Sequence, residues 1–197
     1  ASLFDGHDAA INVMRRLIQA QGAEVIHLGH NRGVREIVRA ALQEDADGIA
    51  ISSYQGGHVE FFRYMVDMLR ENNAAHIRVF GGGGGTITPE EIDELQAYGV
   101  ERIYHPRDGM QLGLVGMIED LVQRTAAVRK PPVRPDSTGI DDEIAVAQMV
   151  SAIEEGLLGE SELARLRKEW TLRAGQVPVV GITGTGGARA SSTVASG

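Results

Sequence analysis

The chain has 197 residues, a formal net charge of −8 and no cysteine, so it accommodates one domain of common size with an appendage and can bury a core. The acidic balance argues against a nucleic-acid backbone as partner, because proteins that bind nucleic acid concentrate Lys and Arg on one face. The sequence contains no apolar run of membrane-spanning length and no signal peptide, and it cannot form disulfides, so we expect a cytoplasmic protein without a membrane partner.

Apolar residues alternate between helical and strand spacing along the first two-thirds of the chain, roughly, which is typical of an α/β fold. Short connections between such elements predict a doubly wound parallel sheet covered by helices on both faces. In chain order we predict a helix at 9–20, a strand at 25–28, a helix at 34–42, a strand at 48–52, a helix at 59–69, a strand at 77–80, a helix at 89–97, a strand at 102–104 and a helix at 110–122.

After the last of these helices the composition shifts to Lys, Arg, Pro and Ser, which indicates an extended linker. Two further helices are predicted at 141–155 and 161–170, the second with Ser161 as its N-cap, and their apolar stripes favour packing on a neighbouring domain. Residues 177–188 then indicate a buried strand that runs into a glycine-rich phosphate loop.

These patterns predict three regions. Only residues 1–4 precede the first loop, so we expect the chain to begin inside or just after its first strand and to be a piece of a longer polypeptide. The predicted regions are a domain at 1–124 with its first strand missing or truncated, a linker at 125–139, and a helical segment with the start of a second domain at 140–197.

The glycine-rich stretch near the end departs from a functional phosphate loop. Such a loop needs Gly and Lys after Ala188, where this chain has Arg189 and Ala190. The missing Lys ammonium would normally meet the β and γ phosphates, so this segment as written does not predict GTP binding. The positions that align with nucleotide-contacting residues are Gly184, Gly186, Gly187, Ala188 and Ser191.

Ligand-type residues follow several of the predicted strands. Ser52 ends one strand, a five-glycine run follows the next, and His105 follows the last. Ligands of parallel sheets bind beyond the carboxyl ends of the strands, so these residues converge on one edge. Near the start, Asp5 and His7 have the spacing at which an imidazole can coordinate cobalt through one nitrogen while the other donates to the carboxylate.

Three motifs carry a family resemblance: residues 5–10 (DGHDAA), 52–58 (SSYQGGH) and 81–89 (GGGGGTITP). Together they resemble the Asp-x-His-x-x-Gly, Ser-x-Leu and Gly-Gly signature of cobalamin-binding domains in adenosylcobalamin-dependent acyl-CoA mutases and methionine synthase. The amino-acid sequences of the three motifs are most similar to those of the fused isobutyryl-CoA mutases. Two positions depart from the signature: Ala10 stands in place of Gly, and Tyr54 in place of Leu.

The resemblance implies a flavodoxin-like (Rossmann-like) domain in which His7 is the lower axial ligand of cobalt and Asp5 orients it. Ser52 would then contact the nucleotide tail of the cofactor, and a glycine pair would let the backbone lie against that bulky ligand. No catalytic residue is expected in this chain. The expected cofactor-binding residues are Asp5, Gly6, His7, Asp8, Ala10, Ser52, Tyr54, Gly56, Gly84, Gly85 and His105.

The resemblance also implies a larger protein, in which a GTPase chaperone domain that uses GTP and Mg²⁺ and then a substrate-binding mutase barrel follow this region. That protein would interconvert isobutyryl-CoA and n-butyryl-CoA by a radical rearrangement and would form a homodimer. The region in this chain would bind the cofactor without turning over an acyl-CoA substrate.

Alternatives remain at this point. The same domain could serve as a corrinoid carrier or a cobalamin-dependent sensor, or as a nucleotide-binding module that never binds cobalt. A dinucleotide loop is disfavoured because no Gly-x-Gly-x-x-Gly follows the first strand. Zinc is disfavoured because the other histidines lack ligand spacing; most, His58 among them, are expected on the surface or at helix caps, whereas His105 could be a cofactor contact or a loop residue.

Overall fold

A computed structural model describes residues 2–3, 8–54, 56–127, 134–135 and 142–175. The chain divides into two compact units, Ala1–Glu155 and Gly156–Gly197. The predicted regions 1–124, 125–139 and 140–197 stay a prediction. In the described part of the chain, no helix combines the length and the apolar character needed to cross a membrane.

The first unit is built on a sheet of four parallel strands in the order β1-β2-β3-β4. Ser52 lies opposite Ser2 on one side and Gly82 on the other, and Gly82 lies opposite Tyr104, so the carboxyl ends of all four strands meet at one edge. The prediction of an α/β fold with a parallel sheet is thereby confirmed. The strands are β1 (Ser2–Leu3), β2 (Gly48–Ser53), β3 (Arg78–Gly82) and β4 (Arg102–Tyr104).

Six described helices belong to the first unit and one to the second. They are α1 (Asp8–Ala20), α2 (Val34–Gln43), α3 (His58–Glu71), α4 (Pro89–Tyr98), α5 (Pro106–Ala126) and α6 (Glu143–Glu154), with α7 (Glu160–Ala174) in the second unit. Helix α5 is longer than predicted at both ends, and it contains one non-helical residue, Gly113.

Helices cover both faces of the sheet. A β-carbon at Gly48 would lie 3.3 Å from Oγ1 of Thr125 in α5, whereas one at Gly81 would lie 2.6 Å from Cζ of Phe62 in α3. Gly81 is opposite Ile51 in the register, and Ile51 is three residues after Gly48, so the two glycines face opposite sides. Helix α3 packs between α2 and α4, while α1 packs against α5.

The main hydrophobic core lies between the sheet and the helices α2, α3 and α4. Its fully buried members include Val38, Phe62, Met65, Leu69 and Leu95. Helix α6 adds to this unit by packing on α2, with Ala145, Met149 and Ala152 buried at helical spacing.

The predicted strand at 25–28 is wrong, because residues 23–29 contain no strand. The next residue, His30, forms an isolated β-bridge. Within this segment Ile26 is 47% exposed, while Leu28 packs against the core. Residues 23–29 therefore connect α1 towards α2 without forming a strand.

The prediction that Ser161 caps a helix is also wrong. Helix α7 begins at Glu160, and its N-cap is Gly159 in extended backbone conformation. The first turn carries Glu160 and Glu162, whose charges favour a helix N-terminus. In α6, by contrast, Asp142 is a side-chain N-cap and accepts the N–H of Ala145 at 3.0 Å.

Candidate functional site

The residues predicted from the ends of β2, β3 and β4 lie at one edge of the sheet. Ser52 is the second-last residue of β2, Gly84 and Gly85 follow β3, and His105 follows β4 directly. Of the remaining predicted residues, Asp8 and Ala10 lie in α1 and Gly56 lies in the turn before α3. Outside the described residues are Asp5, Gly6, His7, Gly184, Gly186, Gly187, Ala188 and Ser191.

The loop after β3 lies directly against the loop after β2. A β-carbon at Gly83 would overlap the carbonyl oxygen of Ser53, so only glycine fits there. Gly84 and Gly85 have φ angles of +56° and +92°, which bend the backbone in the left-handed region. Thr86 closes the turn, because its backbone N–H donates to the carbonyl oxygen of Gly83 at 2.9 Å and its hydroxyl at 2.8 Å.

Tyr54 covers part of this glycine turn. A β-carbon at Gly84 would lie 2.5 Å from Cε1 of the Tyr54 ring, so the ring lies against the glycine backbone. The side chain is 37% exposed at the edge of the sheet. Tyr54, one of the two residues that depart from the signature, therefore packs on the glycine turn at the edge of the sheet.

His105 is held in a defined orientation. It is the N-cap of α5, where its Nδ1 accepts the N–H of Arg107 at 3.2 Å and its own backbone N–H donates to Asp108 Oδ2 at 2.8 Å. Because Nδ1 accepts a hydrogen bond, the neutral imidazole carries its proton on Nε2. Pro106 borders the turn at Gly85, since a β-carbon there would lie 3.6 Å from Pro106 Cγ. His105 thus presents a possible donor beside the glycine turn.

Helix α5 begins four residues before its predicted start at residue 110, and the sequence contains a signal for this earlier start. Helix α4 begins with Thr88-Pro89 and an acid at Glu91, and Thr88 and Glu91 form a capping box. Helix α5 repeats this pattern with His105-Pro106 and Asp108. A cap residue followed by Pro and an acid two positions later would have indicated both helices.

His58 is buried, so the expectation of a surface or capping role is wrong for this residue. It is the first residue of α3, after the N-cap Gly57, and its side chain is 7% exposed. Its Nε2 lies 3.2 Å from Oε2 of Glu91 in α4. No local sequence pattern indicates this pair, because the two residues meet only when α3 and α4 pack together.

A cluster of charged side chains joins β4 to α5 next to the ligand edge of the sheet. Tyr104 donates its hydroxyl to Asp120 Oδ2 at 2.8 Å, and burial followed by this hydrogen bond raises the pKa of Tyr104. Arg102 and Arg124 also pair with Asp120, at 3.1 and 3.0 Å. Arg102 further contacts Asp108, which caps α5 at His105. The cluster therefore fixes α5 to β4 next to the site.

No group of three His, Asp or Glu side chains that could hold a metal ion occurs within the described residues. His7 lies outside the described residues. A metal ion that takes a single ligand from the protein does not require a group of three such side chains. The described residues therefore give information on how the edge could contact an organic ligand.

The fold and the glycine-lined edge define a ligand-binding α/β domain with a parallel sheet. The sequence profile of the B12 binding domain family matches residues 1–109. The chain belongs to this family, and the resemblance inferred from the three motifs is confirmed. Its class of ligand is therefore cobalamin.

Several mutases are similar to this chain. The fused isobutyryl-CoA mutase of Cupriavidus metallidurans is 59% identical over 194 residues, and that of Geobacillus kaustophilus is 51% identical over 206 residues; each comparison covers 98% of this chain and 18% of the relative. The 2-hydroxyisobutanoyl-CoA mutase small subunit of Aquincola tertiaricarbonis is 30% identical over 100 residues, which cover 51% of this chain and 72% of the relative. The chain thus spans about a fifth of the length of the fused relatives.

Proposed function

We propose that this chain is the cobalamin-binding part of an adenosylcobalamin-dependent fused isobutyryl-CoA mutase. The observation that carries the proposal is the identity of 51–59% to proteins of that name along 98% of the chain. The proposed domain is flavodoxin-like, and residues 177–191 would begin a GTPase chaperone domain that uses GTP and Mg²⁺. By itself the chain would bind the cofactor and turn over no substrate.

In the proposed whole protein, a mutase barrel follows in the same polypeptide and binds the acyl-CoA. The reaction would be the interconversion of isobutyryl-CoA and n-butyryl-CoA, carried out by a cytoplasmic homodimer. When bound, adenosylcobalamin supplies a cobalt–carbon bond whose homolysis generates the radical. The residues of this chain hold and orient the cofactor for that chemistry.

We assign cobalt ligation to His7, with Asp5 as the acceptor that orients the imidazole and raises its basicity. Strand β1 ends at Leu3 at the ligand edge and α1 begins at Asp8, and His7 falls between them in the chain. Gly6 would belong to the same loop, and Asp8 and Ala10 would border it from the first turn of α1. A neutral imidazole ligates a metal through one ring nitrogen and carries its proton on the other. A carboxylate that accepts this N–H fixes the tautomer and the orientation of the ring, and so favours ligation.

We assign the nucleotide tail to the loops after β2, β3 and β4. The alternation along β2 turns Ser52 to the α5 face of the sheet, in common with Gly48. The backbone at Gly84 and Gly85 carries no side chain and can approach a bulky group closely. The Tyr54 ring covers one side of Gly84, so a large organic ligand would meet the turn from its uncovered side, where Tyr54, Gly56 and His105 would complete the contacts.

Electron paramagnetic resonance of the Co(II) form tests His7 ligation. The 197-residue chain is loaded with cobalamin, reduced to Co(II), and measured with natural and with ¹⁵N-labelled histidine. If a histidine nitrogen is the axial ligand, the superhyperfine pattern changes from triplet to doublet on labelling, and His7→Ala abolishes the difference. An identical pattern with and without the label would reject histidine ligation.

A further inference from the structure

His58 and Glu91 connect the loop after β2 to the loop after β3, behind the ligand edge. The His58 side chain is 7% exposed and that of Glu91 is 33% exposed, with Nε2 of the first 3.2 Å from Oε2 of the second. A buried polar group that loses its partner costs free energy, so this contact constrains both helix starts.

Glu91 extends the connection to the glycine turn. Its Oε2 also accepts the backbone N–H of Thr88 at 2.8 Å, and Thr88 Oγ1 accepts the N–H of Glu91 at 3.3 Å. The hydrogen bond from the Thr88 backbone first, and then the neighbouring His58 imidazole, lower the pKa of Glu91, so its carboxylate is charged at neutral pH. Through one carboxylate oxygen, His58 is linked to Thr88, three residues after Gly85.

The same two loops also touch at the front, where the ring of Tyr54 lies against Gly84. Tyr54 and His58 therefore each contact the segment 84–91, the first at Gly84 and the second at Glu91. The separation of this segment from Tyr54 and His58 sets the room that a ligand has beside Gly84 and Gly85. A change at His58 would be transmitted to these residues through the backbone of each loop.

We propose that His58 is a positioning residue, which acts through Glu91 to hold these two loops at the separation that the nucleotide tail of cobalamin requires. The inference rests on the proposed function, because that assigns tail contacts to Ser52, Tyr54, Gly84 and Gly85. The proposed cobalt ligand, His7, belongs to a different loop. Losing the His58–Glu91 contact should weaken recognition of the tail and leave recognition of the corrin ring intact.

The test compares cobalamin with cobinamide, which has the corrin ring without the nucleotide tail. In the 197-residue chain, His58→Leu removes the polar contact while keeping the side-chain volume, and we expect cobalamin affinity to fall about tenfold. His58→Gln can still donate an N–H to Glu91 and should recover most of that loss. Cobinamide affinity should be the same in all three proteins.

Glu94→Gln is the matched control, because it weakens the ion pair between Arg63 and Glu94, which joins the same two helices with side chains 42% and 48% exposed. This variant should bind both corrinoids as wild type does. Thermal melting of every variant reports folding. If His58→Leu does not fold, Glu91→Gln, which can keep the cap on Thr88, serves for the same comparison and should lower the ratio of cobalamin to cobinamide affinity.

Equal losses of affinity for cobalamin and cobinamide, or unchanged affinity for both, would overturn the positioning role while the proposed function stands. A wild-type chain that binds neither corrinoid would overturn the proposed function itself, and the role of His58 with it. The wild-type titrations therefore separate the two failures.

Discussion

At the residue scale, Gly83 shows how closely the two loops of the ligand edge approach. A β-carbon there would overlap the carbonyl oxygen of Ser53, whereas one at Gly56 would meet nothing within 4 Å. We expect Gly83→Ala to lower the free energy of unfolding by about 1–3 kcal/mol, because the backbone of one loop must move. Gly56→Ala should change it by less than about 0.5 kcal/mol. Urea denaturation of both variants measures the difference, and equal effects would contradict the close approach.

If His7 ligates cobalt and Asp5 orients it, substitutions at the two residues should weaken cobalamin binding to different extents. His7→Ala removes the axial ligand, while Asp5→Asn removes a charge and can retain a hydrogen bond to the imidazole. We expect Asp5→Asn to weaken cobalamin binding by about 10- to 100-fold and His7→Ala to weaken it more. Cobalamin titrations followed by absorbance provide the comparison. Affinities equal to wild type in both variants would refute both assignments.

At the element scale, the strands and helices between residues 48 and 104 could be predicted because each apolar run has a clear period and ends at a turn residue. Glycines and Ser52 could be placed at one edge because parallel strands share their carboxyl ends. The strand at 25–28 was wrongly predicted because a short apolar run does not distinguish a strand from a connection in which a residue such as Leu28 packs against the core. The burial of His58 and the contact of Tyr54 with Gly84 depend on residues distant in sequence, which a local pattern does not reveal.

Asp120, at the junction of β4 and α5, should make the free energy of unfolding depend on pH. Burial raises the pKa of this carboxyl, but hydrogen bonds from Tyr104 and Arg124 and the charge of Arg102 outweigh burial and lower it. A carboxyl with a lower pKa in the folded chain adds stability above its unfolded pKa, and this stability is lost as the pH falls through the folded value. Asp120→Asn should therefore be less stable than wild type at neutral pH, and the difference should shrink as the pH falls below 3.8, the ordinary value.

Denaturant unfolding at a series of pH values measures this difference for Asp120→Asn. The matched control is Asp93→Asn, which changes an exposed carboxyl on α4. Its stability should follow that of wild type at every pH. A gap between wild type and Asp120→Asn that grows on acidification would contradict the assigned sign.

At the scale of the whole molecule, α6 packs on the first unit although it follows the predicted linker. Glu143 pairs with Arg39 and accepts a hydrogen bond from Gln43, both in α2. Met149 is buried and Val150, the next residue, is 43% exposed. We expect Met149→Ala to lower the free energy of unfolding by about 2–5 kcal/mol and Val150→Ala to lower it by less than about 1 kcal/mol. Small and equal effects would mean that α6 contributes nothing to the unit.

Residues 177–191 lie outside the described residues, and their sequence bears on whether this chain binds a nucleotide. Backbone amides of a glycine-rich loop hold phosphates when a helix N-terminus adds its N–H groups and when a Lys ammonium meets the β and γ phosphates. Arg189 and Ala190 stand where the loop needs Gly and Lys, so the loop lacks the ammonium and carries a bulky side chain in the cradle. We expect isothermal titration with GTP and Mg²⁺ to detect no tight binding to this chain.

Restoring the two residues separates a broken loop from an unrelated segment. Arg189→Gly combined with Ala190→Lys, made within a longer chain that contains the whole proposed GTPase domain, should recover GTP affinity, while the same longer chain without the two changes should bind weakly. Micromolar binding by the unchanged sequence would show that these residues do not prevent phosphate contact. A failure of the restored chain to bind, despite folding as judged by circular dichroism, would refute the proposal that residues 177–191 begin a GTPase domain.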